Sequence, residues 1–234
     1  MGKWCNDIDK NLIFETSRNV LIENAKHTPK EYEIELFNRQ FLQFANVFPA
    51  DKFIDTEFFT ESLNVNKGDE FLEIGVGSGI TSVITAIKGA NVTGVDINPD
   101  AIENAKANAK LHQVEANTNF LVSDLFENIE NKVFDIIYWN VPFCFVEVDN
   151  LSVLEKSVFD YHYNSIHKFI AEAQKHLKEN GKIFIGFSNT IGSPEKLFNF
   201  LYEANFKSIS IESQKNVNWN EISFDLTLFK IQNQ

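Results

Sequence analysis

Two periodicities of apolar and polar positions alternate along the chain from residue 68 onward. Short apolar runs of strand length are followed by segments in which apolar residues recur at helical spacing. The predicted strands of this part are residues 70–74, 91–96, 118–122, 133–139, 182–187, 206–212 and 222–231. The predicted helices are residues 79–88, 98–112, 163–179 and 194–204. Strands alternate with helices until the last two strands, which have no helix between them. We therefore predict an α/β fold, a Rossmann-like doubly wound sheet of seven strands with an antiparallel strand at its C-terminal edge.

The first quarter of the chain follows a different pattern. Apolar residues at loosely helical spacing predict a helix over residues 8–26. Strict alternation over residues 32–36 predicts a strand, and a turn at Asn38-Arg39 leads into a second strand over residues 40–47. This part of the chain is therefore expected to form a short helix and a β-hairpin.

Asp55 marks the predicted start of the main domain. Its short polar side chain is typical of a helix cap, and the helix that it begins is predicted to run to Leu63. We therefore divide the chain into an N-terminal helix-and-hairpin extension at residues 1–54 and a main domain at residues 55–234.

Composition restricts the class of partner. The 234 residues suit one domain with a short extension, and a hydrophobic content of 44% is enough for a full core. The formal net charge is −12, and arginine occurs only at Arg18 and Arg39. Because nucleic-acid binding depends on basic patches, this balance favours a protein or small-molecule substrate over DNA or RNA.

Cysteine usage and hydropathy indicate the compartment. Cys5 and Cys144 stand far apart and form neither a metal-ligand spacing nor a disulfide framework. No apolar run reaches membrane-spanning length, and no secretory signal opens the chain. We expect a cytoplasmic protein that has no membrane partner and no bound metal, while the oligomeric state is left open.

The segment F-L-E-I-G-V-G-S-G at residues 71–79 has the pattern of a buried strand that runs into a glycine turn. Gly75 and Gly77 lack a Cβ atom, so the backbone can turn sharply and a nucleoside can approach it closely. Glu73 is an acid in an apolar strand, and its burial would be costly without a partner such as a cationic amino group. Because ligands of open α/β sheets bind at the carboxyl ends of the strands, we predict a nucleoside-cofactor site here.

Two further acids end the next two predicted strands. Asp96 follows Gly75 by 21 residues and can accept hydrogen bonds from ribose hydroxyls. Asp124 can accept from an adenine amine, and Ile97 and Leu125 can flank the adenine ring. Helix capping or turn chemistry is the alternative interpretation of both acids. The G-x-G-x-G spacing differs from the G-x-G-x-x-G of dinucleotide binders, which disfavours a nicotinamide-dependent enzyme.

The tetrapeptide N-V-P-F at residues 140–143 follows the fourth predicted strand, at the same sheet edge. The nitrogen of a planar NH2 group reacts only when its lone pair is turned toward the electrophile. Asn140 Oδ1 and the Val141 carbonyl could hold its two N–H groups and orient that lone pair. Pro142 fixes the loop, and Phe143 could stack on a flat substrate and exclude water. We predict a site for a planar NH2 group whose rate depends on positioning and electrostatics.

Together these motifs resemble the class I S-adenosylmethionine-dependent methyltransferases, and among them the HemK/PrmC-type protein-glutamine N5-methyltransferases. The resemblance covers residues 32–231 and includes the hairpin, a Thr-Glu segment at residues 55–57, the glycine turn, the acids and an Asn-Pro-Pro-Tyr-like tetrapeptide. It implies an enzyme that moves a methyl group from S-adenosylmethionine to a planar amide or amine nitrogen of a protein or small molecule, leaving S-adenosylhomocysteine. The predicted catalytic residues are Asn140, Val141, Pro142 and Phe143. The predicted cofactor-binding residues are Glu73, Gly75, Val76, Gly77, Gly79, Asp96, Ile97, Asp124, Leu125 and Asn140.

Several positions depart from the family pattern. Lys52-Phe53 replaces Pro-Arg, Val141 replaces the first Pro of the tetrapeptide, and Phe143 replaces Tyr. The segment before the hairpin is shorter than the family's helical recognition domain, so we expect a substrate other than a release factor. Related enzymes that methylate adenine or guanine amines accept variants of the tetrapeptide, so an RNA or DNA exocyclic-amine methyltransferase is one alternative. A nicotinamide-dependent oxidoreductase and a catalytically silent cofactor-binding adaptor are two others.

Overall fold

The computed structural model describes residues 10–27 and 29–232, so the predicted helix positions 8 and 9 lie outside the described residues, as does Cys5. The helices of this part of the chain are α1 (Lys10–Ala25), α2 (Asp55–Ser62), α3 (Ile80–Ile87), α4 (Pro99–Leu111), α5 (Asn164–Ala173) and α6 (Pro194–Glu203). Its strands are β1 (Glu31–Leu36), β2 (Arg39–Phe44), β3 (Glu70–Ile74), β4 (Asn91–Asp96), β5 (Thr118–Val122), β6 (Phe134–Asn140), β7 (Cys144–Val146), β8 (Phe159–Tyr161), β9 (Leu177–Phe187), β10 (Ser208–Trp219) and β11 (Ile222–Gln232). Among the helices of these two ranges, none is both long and apolar enough to cross a bilayer.

The central sheet has seven strands in the order β10-β11-β9-β6-β3-β4-β5. The strands from β9 to β5 are parallel, whereas the C-terminal strand β11 runs antiparallel to both β9 and β10. The antiparallel pair β10–β11 therefore forms one edge of the sheet, and the predicted fold class is confirmed. The chain moves outward from β3 through β4 and β5 and then returns to β6 on the other side of β3. This reversal opens a crevice at the carboxyl ends of β3 and β6.

Both faces of the sheet are covered, which explains the continuous apolar runs of the inner strands. Alternate side chains of β3 enter opposite cores. Phe71 lies in one core with Phe59 of α2, and Leu72 lies in the other with Ile166 of α5. The site at the end of β3 is therefore supported from both sides.

Several predicted boundaries are wrong, and two of them have identifiable reasons. The strand predicted at residues 206–212, for example, is β10 at Ser208–Trp219. The helix predicted to reach residue 179 ends at Ala173, because Leu177 already pairs with Phe134 of β6. The residues between Leu177 and Lys182 form a bulge, since the next paired residue on β6 is Ile136. The hairpin turn lies at Phe37-Asn38 rather than at Asn38-Arg39, and both residues have positive φ, as a type I′ hairpin turn requires.

Sequence reasoning missed a second small sheet between β6 and α5. The three-residue strands β7 and β8 pair in parallel, with Cys144 opposite Phe159. Strands this short give too few alternating positions to be recognised from periodicity. The pair anchors both ends of the loop between them beside the crevice.

The hairpin is attached to the main domain through two buried asparagines of α4. Asn104 Nδ2 and Asn108 Nδ2 both donate to the Leu42 carbonyl of β2, at 2.9 and 2.8 Å. Asn108 Oδ1 accepts from the Leu42 amide at 2.7 Å, and Asn108 Nδ2 also donates to the Ser78 carbonyl. Side-chain amides thus pair with β2 as a neighbouring strand would. Ile34 of β1 shares a hydrophobic core with α3 and α4. The division at residues 54 and 55 stays a prediction.

Replacing Asn108 with alanine is expected to lower the free energy of unfolding by about 3 kcal/mol, because it removes the side-chain partners of the Leu42 amide and of the buried Ser78 carbonyl. Urea denaturation followed by circular dichroism measures this change. Glu103→Ala on the exposed side of the same helix removes only a solvent-accessible pair with Lys106 and serves as the control. A loss for Asn108→Ala no larger than for the control would contradict the docking role of this amide.

Candidate functional site

A cleft of about 360 Å³ opens at the carboxyl ends of β3 and β6. It brings together residues that the sequence predicted from four separate strand ends. The predicted residues that line it are Glu73, Gly75, Val76, Gly77, Asp96, Ile97, Asp124, Leu125, Asn140 and Pro142. Gly79, Val141 and Phe143 are not among the residues that line this cleft.

The glycine turn adopts a backbone that requires glycine at three places. Gly75, Gly77 and Gly79 have φ of 64°, 53° and 80°. A Cβ atom on Gly79 would lie 2.7 Å from the Cα of Ala105, so this glycine allows close packing on α4 rather than lining the cleft. A Cβ atom on Gly75 would lie 2.9 Å from Trp139 Nε1, whereas the position beside Gly77 is open space. The open space is where a ligand can approach the backbone.

Asp96 is held in place by the turn that it faces. Its Oδ2 accepts a hydrogen bond from the Gly77 amide at 3.0 Å, and its Oδ1 accepts from the Asn98 amide at 2.8 Å. Burial raises the pKa of this carboxyl, although the backbone hydrogen bonds oppose the rise. The turn chemistry considered as an alternative is therefore present. It does not exclude ligand binding, because each oxygen keeps a second lone pair beside the cleft.

Glu73 is a buried acid whose protein partner is a hydroxyl group. Ser82 Oγ of α3 donates to Glu73 Oε2, and no lysine or arginine in the described part of the chain forms an ion pair with Glu73. Burial raises the pKa of Glu73 to about 8, and hydrogen bonds from Ser82 and Thr81 partly oppose this. The side chain is thus a mostly protonated group at neutral pH that a cationic ligand would ionise.

The residues predicted to surround an adenine ring lie on the cleft wall with different exposure. Ile97 is 41% exposed, whereas Leu125 is buried and has a φ of 53°. Asp124 is half exposed, and its Oδ2 lies 3.5 Å from Lys168 Nζ. Because Asp124 is solvated and has a cation nearby, it is a weaker binding group than the partly buried Asp96.

Asn140 has one end of its side-chain amide fixed and the other end free. Its Nδ2 donates to Asp55 Oδ2 at 2.8 Å. Its Oδ1 is buried and has no hydrogen-bond partner among the described residues. A buried acceptor without a donor is costly, so this oxygen marks a place where a ligand donor can bind.

The sequence assigned Asp55 the wrong structural role. Ile54 occupies the cap position of α2 without a side-chain hydrogen bond, and Asp55 is the first residue of the helix. Its carboxyl is buried and accepts from the Thr56 amide and from Asn140, which lies 85 residues away in the chain. Burial raises the pKa of Asp55. No local pattern could reveal this partner, because the contact depends on how α2 packs against the end of β6.

The loop after Asn140 is fixed by the backbone and by one tyrosine. The Val141 amide donates to the Gly186 carbonyl at 3.2 Å, and the Tyr163 hydroxyl donates to the Phe143 carbonyl. The same hydroxyl accepts from the Ser193 amide at 3.0 Å. Tyr163 was not predicted as a site residue. This buried side chain holds the loop after Asn140 through its hydrogen bond to the Phe143 carbonyl.

A second, apolar cavity of about 40 Å³ lies beside the cleft. Asn140 borders both cavities, and Val141 and Phe143 line the small one. Side chains from the N-terminal helix and from β10 and β11 complete its wall, namely Ile13, Ser17, Trp219, Ile222 and Phe224. The predicted catalytic tetrapeptide therefore lies between the two cavities.

Part of the cleft wall was missed by sequence reasoning. The loop between β7 and β8 contributes Asp149, Leu151, Val153, Leu154, Lys156 and Ser157. Its residue Glu155 pairs with Arg18 of α1, with Arg18 Nε 2.8 Å from Glu155 Oε1. The N-terminal helix thus contacts the loop that borders the cleft.

The chain is similar to one protein family and to several individual enzymes. A model of the methyltransferase small domain matches residues 38–216. A Methanocaldococcus jannaschii protein with the provisional name of protein N5-glutamine methyltransferase is 38% identical over 161 residues, which is 67% of this chain and 79% of that protein. The release factor glutamine methyltransferase of Fusobacterium nucleatum is 28% identical over 90% of this chain and 63% of its own length. The ribosomal protein uL3 glutamine methyltransferase of Francisella tularensis is 28% identical over 61% of this chain and 48% of its own length.

Solved structures share the fold at low sequence identity. The Thermus thermophilus 16S rRNA N2 G1207 methyltransferase, solved with S-adenosylmethionine and guanosine, superposes with a TM-score of 0.63 at 21% identity. The match covers 87% of this chain and 50% of that one. A protein provisionally named a methyltransferase and solved with S-adenosylhomocysteine has a TM-score of 0.64 at 18% identity, and the match covers 87% and 57% of the two chains.

Proposed function

Because this chain belongs to the methyltransferase small domain family, and is therefore an S-adenosylmethionine-dependent methyltransferase, we propose that it methylates the side-chain amide nitrogen of a glutamine residue in a protein. The predicted family, enzyme class and cofactor are confirmed. The oxidoreductase and silent-adaptor alternatives are therefore set aside. The chain spans less than two thirds of several glutamine methyltransferases that it matches. The geometry of the site therefore carries the proposal for the acceptor.

The observation that supports an amide acceptor is Asn140 Oδ1, which has no hydrogen-bond partner in the part of the chain that the structure describes. It is a buried hydrogen-bond acceptor on the boundary between the cleft and the apolar cavity. A primary carboxamide has an NH2 group that would satisfy it and a slender methylene chain that suits a small apolar cavity. A nucleobase is bulkier, and the net charge of −12 disfavours a nucleic-acid backbone nearby.

The cleft fits S-adenosylmethionine in charge and in shape. Two carboxyls line it without a lysine or arginine partner in the described ranges, the buried Glu73 and the partly buried Asp96. Such groups favour a ligand that brings a cation and hydroxyl donors. Asp96 would hold the ribose and Glu73 the amino group, with the open backbone at Gly77 beside them.

The other predicted cofactor-binding residues would contact the adenine ring or form the glycine turn. Ile97 and Leu125 would flank the adenine, and Asp124 would accept from its amine. Gly75 and Val76 would supply the closely approached backbone. Gly79, which packs on α4, would support the turn from outside the cleft.

The chemistry places separate demands on cofactor and protein. Bound S-adenosylmethionine supplies a methyl group activated by attachment to a sulfonium centre. Asn140 Oδ1 and the Val141 carbonyl would accept the two amide N–H groups of the acceptor and orient its nitrogen. Pro142 and Phe143 would hold the loop and exclude water. One N–H bond of the acceptor is replaced by N–CH3, and one proton is released.

Incubation of the enzyme with tritiated S-adenosylmethionine and a cell extract tests the acceptor class. We expect label that protease removes and nuclease does not. Acid hydrolysis should release the label as volatile methylamine, because a methylated amide breaks at its C–N bond. Label that stays on lysine or arginine, or that nuclease removes, would contradict the proposal. Asn140→Ala provides the blank for background labelling.

Glu73 gives cofactor binding a pH dependence of defined sign. A cationic ligand favours the ionised acid, so binding lowers the pKa of Glu73 from about 8 and expels a proton. S-adenosylhomocysteine binding at pH 7 should therefore release about one proton, and affinity should rise with pH and level off above the pKa of the free enzyme. Calorimetry in two buffers of different ionisation enthalpy measures this release. Glu73→Gln should abolish it, and buffer-independent heats in the wild type would refute the assignment.

The cellular setting follows from the same proposal. Relatives are named for methylation of a release factor and of a ribosomal protein, which supports a cytoplasmic protein acceptor. The buried free thiol of Cys144 agrees with a reducing compartment. The expectation of a substrate other than a release factor stays a prediction.

A further inference from the structure

The orientation of the Asn140 side chain is determined by the group behind it. An amide can present either its oxygen or its NH2 group to a substrate, and the two orientations have nearly the same shape. In this structure the NH2 group faces Asp55, at 2.8 Å, and the oxygen faces away from it. Only the observed orientation, with the oxygen directed away from Asp55, offers a hydrogen-bond acceptor to an incoming NH2 group.

Asp55 can stabilise only this orientation while it is ionised. A carboxylate has no hydrogen to donate, so it rejects an amide oxygen and accepts an amide NH2. Its Oδ1 is already used by the Thr56 amide at 3.0 Å, which leaves Oδ2 for Asn140. Within residues 10–27 and 29–232, no lysine or arginine lies within ion-pair distance of Asp55. The hydrogen bonds from Asn140 and Thr56 are therefore what partly offsets its burial.

We propose that Asp55 is a positioning residue, which holds the amide of Asn140 with Oδ1 directed at the methyl acceptor. The claim rests on the proposed function, because the orientation matters only for an acceptor that donates N–H groups. Asp55 itself lines the small apolar cavity and is placed behind Asn140. It acts through Asn140 and not on the reacting atoms.

Asp55→Asn removes the orienting property with little change of shape. The introduced side chain would have one acceptor oxygen for two donors, the Thr56 amide and the Asn140 NH2 group. When that oxygen serves Thr56, the new NH2 group at position 55 faces residue 140, and the Asn140 amide turns over. The productive orientation is then only partly populated, and kcat should fall about 30-fold. The Kd of S-adenosylhomocysteine should stay within about twofold of wild type, since the cofactor cleft is unchanged.

A charge-conserving exchange distinguishes positioning from simple packing. In Asp55→Asn/Asn140→Asp, the amide oxygen at position 55 serves Thr56, and the NH2 group of the same side chain donates to the carboxylate at position 140. The second carboxylate oxygen then faces the acceptor, as Asn140 Oδ1 does in the wild type. We expect the double variant to recover most of the rate lost by Asp55→Asn. A residue that merely fills space would give two losses that add.

The experiment compares single-turnover methylation of the protein fraction labelled by the wild type, together with S-adenosylhomocysteine affinity. Asp225→Asn is the matched control, because Asp225 is a buried acid that accepts from Asn189 Nδ2 at 2.8 Å and lines neither cavity. It should lose stability but keep its kcat. Loss in Asp55→Asn with recovery in the double variant supports the proposal. A single variant within about threefold of wild type, or a double variant as slow as the single, overturns it.

A second readout separates this proposal from the identity of the acceptor. The side-chain amide resonances of Asn140, assigned by their loss in Asn140→Asp, can be observed by nitrogen-15 NMR with S-adenosylhomocysteine bound. They should be protected from solvent exchange in the wild type and in Asp225→Asn, and should shift and exchange faster in Asp55→Asn. If the wild type methylates no glutamine, the proposed function fails while this result still decides the role of Asp55. Resonances indifferent to Asp55→Asn would refute the positioning role.

Discussion

Asn140→Ala is expected to lower kcat by about 10³-fold while leaving the affinity for S-adenosylhomocysteine nearly unchanged. The variant removes the buried Oδ1 that has no partner in the described part of the chain and that we assign to the acceptor N–H. It leaves the glycine turn and the acids of the cleft in place. Loss of an orienting contact affects the reaction rate more than it affects cofactor binding.

Single-turnover methylation and calorimetry on the same samples measure these two quantities. Asn91→Ala is the control, because Asn91 is exposed at the start of β4 and contacts Glu70 on the surface. Asn140→Ala also leaves the buried Asp55 without one donor, so a modest loss of stability is expected. Equal losses of rate and of cofactor affinity would contradict the assigned role.

Asp96→Ala should weaken S-adenosylhomocysteine binding by about 100-fold, which corresponds to about 3 kcal/mol and to two charge-assisted hydrogen bonds. The substitution removes the proposed ribose acceptor and releases the Gly77 amide from its partner. Both changes act on the cofactor site, so kcat at saturating cofactor should fall much less than affinity does.

Asp124→Ala provides the comparison for this prediction. Its carboxylate is half exposed and lies near Lys168. Water can therefore replace much of its contribution, and its removal should cost less than about tenfold in affinity. Calorimetric titration of S-adenosylhomocysteine into the wild type, Asp96→Ala and Asp124→Ala ranks the three proteins by affinity. If the Kd of Asp96→Ala for S-adenosylhomocysteine is within about threefold of the wild-type value, Asp96 does not bind the cofactor.

Sequence periodicity located the strands of the central sheet well, because inner strands such as β3 and β6 are largely buried apolar runs. The bounds of β3, β4 and β5 agree with the predicted ones to the residue. Local information also sufficed for the start of α4, where Asn98 accepts from the Asp100 amide and Pro99 occupies the first turn. At such positions the residues that form the sequence motif also make the contacts that fix the structure.

Features that depend on distant contacts could not be predicted. The early end of α5 follows from the pairing of Leu177 with Phe134. The role of Asp55 depends on Asn140, and the docking of the hairpin depends on Asn104 and Asn108. Asp55, Asn104 and Asn108 are polar residues whose local pattern suggests a cap or a surface position. Their hydrogen-bond partners are known only once the sheet has assembled.

We propose that the enzyme places the methyl group on a glutamine side-chain nitrogen. Tandem mass spectrometry of proteins methylated by the wild type, with Asn140→Ala as the background, identifies the methylated atom. We expect peptides that gain the mass of one methylene group, localised by fragmentation to a glutamine side chain and absent from the variant sample. Methylation localised to lysine, arginine or a chain terminus, or equal methylation by both proteins, would contradict it.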